Sequence, residues 1–566
     1  MFIKKNSLAK ICLQIFGLCS LGTLTAITVS LPVNSAEEID FVYSPIKETL
    51  KVSSLEKFVQ DGTIDKNLAF YLNIAKPSEE EKKLFRKLLT KKIDIDPIFL
   101  SRLLKTDEGD RLLTFFGDII NIQGGSNGKI ALRGAIASAA LDQEEGLTLL
   151  NFLRNLSVNV QIDVRKAIAF AKDIDIVVDG SEKFVDKVAQ LSAQEGQQSP
   201  KIDFAQLPDL RQSGNFAVEE KTWNLNDTKR NRKFYVKIYQ PKQWREGKTP
   251  VVIASHGLTA KPSDYAEKLK HLVSYGFLVV APQHIGSDHI YAQEFKEGYY
   301  QDLSDINEFI NRPLDISFTL DELERRNQSE FEGRLDLDNV GMYGHSYGGY
   351  TALAIAGATP AINFEQLARD CGKQIHQLNT SLLLQCRASK LEPKSYDFRD
   401  KRVKAVIASN PVNASIFGEK GLSKIQIPIG IGAGNYDPAT PFIFEQVRTF
   451  PWITSPQRYL VLEEGEAHVD ISKLDAGASK LLKAIPNLHL ASPELLSKYS
   501  KALMLAFYEV HIAHNSDYLP YLNPSYSTYL SEGEEFKAFM ITGASTDELV
   551  EAFNKFKQEN QLGTTK

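Results

Sequence analysis

Val340-Gly341-Met342-Tyr343-Gly344-His345-Ser346-Tyr347-Gly348-Gly349-Tyr350 is the stretch whose reading decides the fold. Apolar residues run into Gly344, Ser346 stands between two glycines, and Thr351-Ala352-Leu353-Ala354-Ile355-Ala356 continues as a small-residue helix. Strand, sharp turn and helix in that order are the setting of a nucleophile elbow, Gly-x-Ser-x-Gly. The turn is so tight that side chains flanking the serine would collide with the strand and helix beside them. Glycines therefore sit on both sides, and the serine hydroxyl projects above the sheet. The alternative is an ordinary glycine-rich turn.

Outward from the elbow, continuous apolar runs at residues 250–255 and 277–281, and again at 403–408, 427–431 and 458–462, read as strands buried on both faces of a parallel sheet. Helical segments lie at 265–275 and 302–325, and residues 216–223 and 233–239 alternate as an antiparallel pair would. This predicts an α/β fold over residues 201–566, a mostly parallel sheet with helices on both faces. Residues 359–402 connect strands above the active edge and are expected to cap the pocket. Residues 471–566 are expected to be a helical extension, with an apolar helix at 502–510 and an aromatic loop at 518–529.

Residues 37–200 read as a separate, mainly helical domain. After a short hairpin at 41–43 and 49–52, Ser53-Ser54-Leu55-Glu56 offers a capping box and Gly62 a helix stop. A second helix begins at Ser78, with Glu79, Glu80 and Glu81 in its first turn and Arg86, Lys87, Lys91 and Lys92 toward its end, the charge order a helix dipole favours. No nucleophile paired with a base, metal-ligand spacing or phosphate loop occurs here, so packing or partner binding is the expected role. Gly196-Gln197-Gln198-Ser199-Pro200 is polar and breaker-rich, which predicts a linker.

At 566 residues two or three domains are expected, and 43% hydrophobic with 24% charged residues argues against both disorder and a polytopic membrane chain. Lys4, Lys5 and Lys10, an uncharged stretch at 11–33 and the small-residue exit Asn34-Ser35-Ala36 describe a signal peptide, residues 1–36, cut near Ser35 or Ala36. The mature protein would be periplasmic or extracellular. An uncleaved membrane anchor is the alternative. Removing residues 1–36 moves the formal charge from −5 to −8, and nothing invites a nucleic acid. Export leaves Cys371 and Cys386, which an oxidising compartment favours as a disulfide closing a loop of about 15 residues, worth on the order of 3 kcal/mol. Two separate buried thiols are the alternative.

A serine hydroxyl needs a base to take its proton and an acid to orient that base. In the strand order expected here the acid and then the histidine follow the serine along the chain, each on a loop after a strand. Asp437 lies in the turn Gly434-Asn435-Tyr436-Asp437-Pro438 past the 427–431 strand, and His468 follows the next strand. Of the ten histidines, six precede Asp437 and are in the wrong order, and His489 has no strand leading to it. His511 and His514 lack a third metal ligand. Glu463, Glu464 and Glu466 are too close in sequence to His468 to reach its ring easily. The oxyanion of a tetrahedral intermediate is expected to meet the amide N–H groups of Tyr347 and of Leu258, in the loop Ser255-His256-Gly257-Leu258. His256 is read as a structural ring.

With these residues, 214–470 resembles the α/β-hydrolase superfamily. Ser255-His256-Gly257-Leu258, Tyr275-Gly276-Phe277 and Gly344-His345-Ser346-Tyr347-Gly348-Gly349 are most similar to dienelactone-hydrolase-like and platelet-activating-factor acetylhydrolase-like enzymes. The resemblance implies hydrolysis of small-molecule or lipid esters without a cofactor. Dienelactone hydrolases use a cysteine where Ser346 stands, so lactone chemistry does not carry over. Residues 37–200 are similar to a helical domain of unknown function that precedes such hydrolases in exported bacterial proteins. Membrane association is expected only through the substrate or an uncleaved signal. Tyr347-Gly348-Gly349-Tyr350 also resembles prolyl-oligopeptidase-type peptidases, whose front β-propeller is not legible here. A serine esterase is the expected function, with such a peptidase or a non-catalytic binding protein as alternatives.

Overall fold

The computed structural model describes residues 36–371, 379–468 and 490–562. All of the expected signal peptide but Ala36 lies outside them, as do His489 and parts of 359–402 and 471–566. No helix among the described residues is long and apolar enough to cross a membrane.

The front half is not helical throughout. Strands β1 (Glu38–Tyr43), β2 (Ile46–Lys51), β3 (Ile120–Ile122) and β4 (Val160–Asp163) form a four-stranded sheet in the order β2-β1-β4-β3. β3 and β4 are too short for a periodic pattern to register, and they are held by partners far away in the chain. The capping box expected at Ser53 is not formed. Helix Val52–Asp61 has Lys51 at its N-cap without a side-chain bond, and the Ser54 hydroxyl donates to Asp65 instead, at 2.7 Å. At Ser78 the reciprocal cap is present: its hydroxyl accepts the Glu81 N–H and the Glu81 carboxylate accepts the Ser78 N–H.

No linker follows, because Val164–Gln198 is one 35-residue helix and residues 196–198 are its last turn. Phe170 and Ile174 pack in the front half against Phe115 and Phe116, whereas Phe184, Val185, Val188 and Leu191 are buried in the core of the large sheet. Burial of a single helix in two cores couples the halves.

The large sheet comprises β5 (Val218–Asp227), β6 (Arg232–Pro241), β7 (Thr249–Ser255), β8 (Leu278–Pro282), β9 (Leu335–His345), β10 (Val403–Ser409), β11 (Ile429–Gly434), β12 (Arg458–Glu463) and β13 (Ala538–Thr542). Its order is β13-β12-β11-β10-β9-β7-β8-β6-β5, parallel from β8 through β12 and antiparallel at both margins. Val251 and Ile253 of β7 belong to the core that contains Phe309, Ile316 and Leu320. Val252 and Ala254 belong to the core that contains Leu269, Leu272 and Tyr508. Burial on both faces is why these strands read as unbroken apolar runs. β13 corrects the expected helical extension: it adds an antiparallel strand to β12, between helices Pro493–His511 and Thr546–Glu559. The chain passes from β8 over β7 to β9, so strand order reverses at β7. The crevice beyond the carboxyl ends of such strands is where α/β sheets place their sites.

The described residues of 359–402 pack beside that crevice, with Cys371 and Cys386 joined by a disulfide, Cα atoms 5.6 Å apart. The fully buried Glu445 clamps this segment. One of its oxygens accepts from Asn379, Ser381 and Gln385 side chains, and the other accepts the Asn413 and Ala414 N–H groups at the start of helix Ala414–Leu422. Glu445→Ala would leave these donors without an acceptor, and we expect destabilisation on the order of 4 kcal/mol, read as a shift in the urea midpoint.

Candidate active site

β9 ends at His345, and helix Tyr347–Ile355 begins two residues later. Between them Ser346 has φ 57° and ψ −117°, a conformation that costs a non-glycine residue about 1–3 kcal/mol and persists only when its surroundings hold it. They do: the Ser346 N–H donates to Ser409 O at 3.0 Å, and Ser346 O accepts the Tyr350 N–H at 3.2 Å. The glycines are required by contact. A Cβ on Gly344 would lie 2.0 Å from Gly348 O, and one on Gly348 would lie 2.0 Å from Ser255 O.

β11 delivers Asp437 and β12 delivers His468. The His468 Nδ1–H donates to Asp437 Oδ2 at 2.6 Å, and its Nε2 stands 2.8 Å from Ser346 Oγ. The structure thus brings together three side chains that are far apart in sequence. Asp437 Oδ1 accepts the Ala439 and Thr440 N–H groups at 2.7 and 2.8 Å. Its Oδ2 also accepts from the Thr440 hydroxyl and Asn410 Nδ2, each at 2.6 Å. Burial alone would raise the Asp437 pKa, but the His468 charge and these donors bring it below the usual value. Burial would lower that of His468, and the Asp437 charge and hydrogen bond lift it above 6.5. Glu466 is bonded to the same Asn410 amide at 2.8 Å, and burial with the adjacent Asp437 charge pushes its pKa up to about 7.

Gly257 approaches the elbow closely: a Cβ there would meet Ser346 Cβ at 3.4 Å. Tyr265 holds this approach, its hydroxyl accepting the Gly257 N–H at 3.3 Å and donating to His345 Nδ1 at 2.9 Å. Burial, and then the His468 charge, push the His345 pKa down to about 3, so its ring is a neutral acceptor. Among the described residues, neither the Leu258 nor the Tyr347 N–H has an acceptor. His256 packs as a structural ring: Nδ1–H donates to Gly257 O at 2.8 Å, and Nε2 accepts the His284 N–H at 3.1 Å.

A cavity of about 750 Å³ reaches His468 and Leu258, with Tyr265 and Asn410 on the near wall and Ile407, Leu503 and Phe507 among its apolar walls. No described residue of 359–402 lines it. Thr380 of that segment meets the loop of Asp437, its hydroxyl donating to Pro438 O. His511 packs on the rings of Phe507 and Tyr459, while His514 bonds to Asn339, so the two histidines have separate packing roles. Sequence reasoning did not single out Tyr265, Asn410, Thr440 or Glu445, whose residue types carry no motif.

Two family models match the chain. One described as an alpha/beta hydrolase of unknown function (DUF1400) covers residues 35–163, and that of the chlorophyllase family covers residues 207–368. The chain therefore carries α/β-hydrolase-like domains, and the matches point to an ester hydrolase. The second match includes Leu258, Ser346 and Tyr347 but ends before Asp437 and His468. No curated protein matches the chain.

Proposed function

We propose that the chain is an exported serine hydrolase that cleaves carboxylic esters through an acyl-enzyme. The observation that carries this reading is the relay from Ser346 Oγ to His468 Nε2 at 2.8 Å and from His468 Nδ1 to Asp437 at 2.6 Å. Ser346 Oγ attacks the ester carbonyl as its proton passes to His468 Nε2. The Leu258 and Tyr347 N–H groups hold the oxyanion. His468 then gives the proton to the leaving alkoxide, and water repeats the sequence to release the acid. The apolar cavity beside His468 suits an apolar group of a lipid-like ester, in keeping with the acetylhydrolase resemblance.

The N-terminal reading is also a proposal: residues 1–36 direct export. Ala36 is buried and its N–H donates to Leu156 O at 2.7 Å, which favours a cut that leaves Ala36 in place.

A fluorophosphonate probe is expected to label Ser346 and no other residue, as peptide mass mapping will read. The same spectrum gives the N-terminus, and a purified chain retaining residues 1–35 would count against cleavage. Aryl esters of graded chain length should be turned over. Cleavage of proline-containing dipeptide amides without ester hydrolysis would instead select the peptidase reading, and absence of label would select a binding protein.

A further inference from the structure

The helix Glu308–Glu330 carries a cluster of buried charges that the reaction as described does not use. Arg312 is fully buried within it. Its Nη1 donates to His256 O at 2.8 Å, its Nη2 to Gly257 O at 3.3 Å, and its Nε to the Ser287 hydroxyl at 2.9 Å. The Ser287 hydroxyl donates in turn to Glu308 at 2.9 Å. Arg312 Cζ also lies 4.4 Å from the centre of the Tyr347 ring.

These contacts converge on one place. Gly257 O and the Leu258 N–H are the two ends of a single planar peptide, so a donor fixed on the oxygen fixes the direction of the N–H. The preceding peptide is held at both ends as well, His256 O by Arg312 and the Gly257 N–H by Tyr265. The other amide proposed for the oxyanion belongs to Tyr347, whose ring lies under the same guanidinium. We propose that Arg312 is a positioning residue that aligns both amide donors of the oxyanion hole. This rests on the serine-hydrolase reading given above, with Ser346 as nucleophile and the Leu258 and Tyr347 amides as donors.

Chemistry favours arginine for the task. Its rigid planar fork presents parallel donors to two carbonyls and a flat face to an aromatic ring, which a lysine ammonium cannot do together. A donor on Gly257 O also polarises the peptide, strengthening its N–H as a donor on the far side. For packing alone, an apolar side chain of similar volume would avoid the cost of desolvating a charge.

The test compares Arg312→Met, Arg312→Lys and Ser287→Ala with the wild type, using an aryl ester for kcat and KM and an aryl trifluoromethyl ketone as the tetrahedral-adduct inhibitor. Fluorophosphonate labelling and urea unfolding accompany each variant. Arg312→Met is expected to lose about a hundredfold in kcat with KM little changed, and ketone affinity should fall in parallel. Arg312→Lys should fall between, and Ser287→Ala should lose a smaller factor in the same two quantities. A folded Arg312→Met enzyme with wild-type kcat, or one whose kcat falls while ketone affinity holds, overturns the proposal. If Arg312→Met does not fold, wild-type kcat in both other variants overturns it. Failure of the underlying assignment reads differently: Ser346 of the wild type would then take no label.

Discussion

Ser346→Ala is expected to lower kcat for a short-chain aryl ester by about a millionfold and to abolish fluorophosphonate labelling, while unfolding stability falls by only about 1 kcal/mol. The conformation at this position, φ 57° and ψ −117°, is imposed by the strand behind and the helix ahead. Both residues carry a Cβ, so alanine meets no contact that serine does not. Its backbone keeps the bonds to Ser409 and Tyr350. What disappears is the oxygen 2.8 Å from His468 Nε2. The lost hydrogen bond is worth about 1 kcal/mol in stability, and with it goes the only atom able to form the acyl-enzyme. Residual turnover would come from the amide donors and bound substrate alone. Retention of wild-type activity would sink the assignment of Ser346.

The elbow was legible because steric necessity is written into residue identity. Where strand and helix pass within 2.0 Å of a would-be Cβ, only glycine serves, so Gly344 and Gly348 register in the sequence. Asp437 and His468 were legible for a different reason, since each follows an apolar strand in an order that topology dictates. The parallel sheet was readable because burial on two faces leaves unbroken apolar runs. β13 was not, being five residues at the margin beyond a long helix.

The buried charges were hidden by the same logic in reverse. Glu308, Arg312 and Asp315 recur with helical spacing beside Phe309 and Ile316, and a charged stripe on a helix reads as a solvated face. Only the fold reveals that this stripe is wholly buried, with Arg232 bonded to Asp315 at 2.8 Å. The expected linker failed because Gly196 and its polar neighbours terminate a helix, and the binding of Glu195 to the Thr542 N–H and hydroxyl could not be seen from local composition.

Asp437→Asn should cost about ten-thousandfold in kcat although it changes one atom. The reason lies in the donors around the carboxylate. Oδ1 accepts two backbone N–H groups, from Ala439 and Thr440, which cannot turn away. An asparagine at this position keeps its oxygen there and places its NH2 where Oδ2 stood, facing His468 Nδ1. The amide then donates to Nδ1, and the imidazole proton moves to Nε2, the atom that must accept from Ser346. The ring keeps its place but presents a donor to a donor. The pH dependence separates this effect from a simple loss of structure. In the wild type only neutral His468 is a base, so kcat/KM rises with pH through a pKa lifted above 6.5 by Asp437. Without the Asp437 charge and hydrogen bond, burial outweighs the smaller pull of the Glu466 charge and the ring protonates at lower pH, so the acid limb should shift downward while the plateau falls. A lower plateau with the limb unmoved would assign the raised His468 pKa to another group, and Glu466, bonded to Asn410 at 2.8 Å, is the carboxylate placed to supply it.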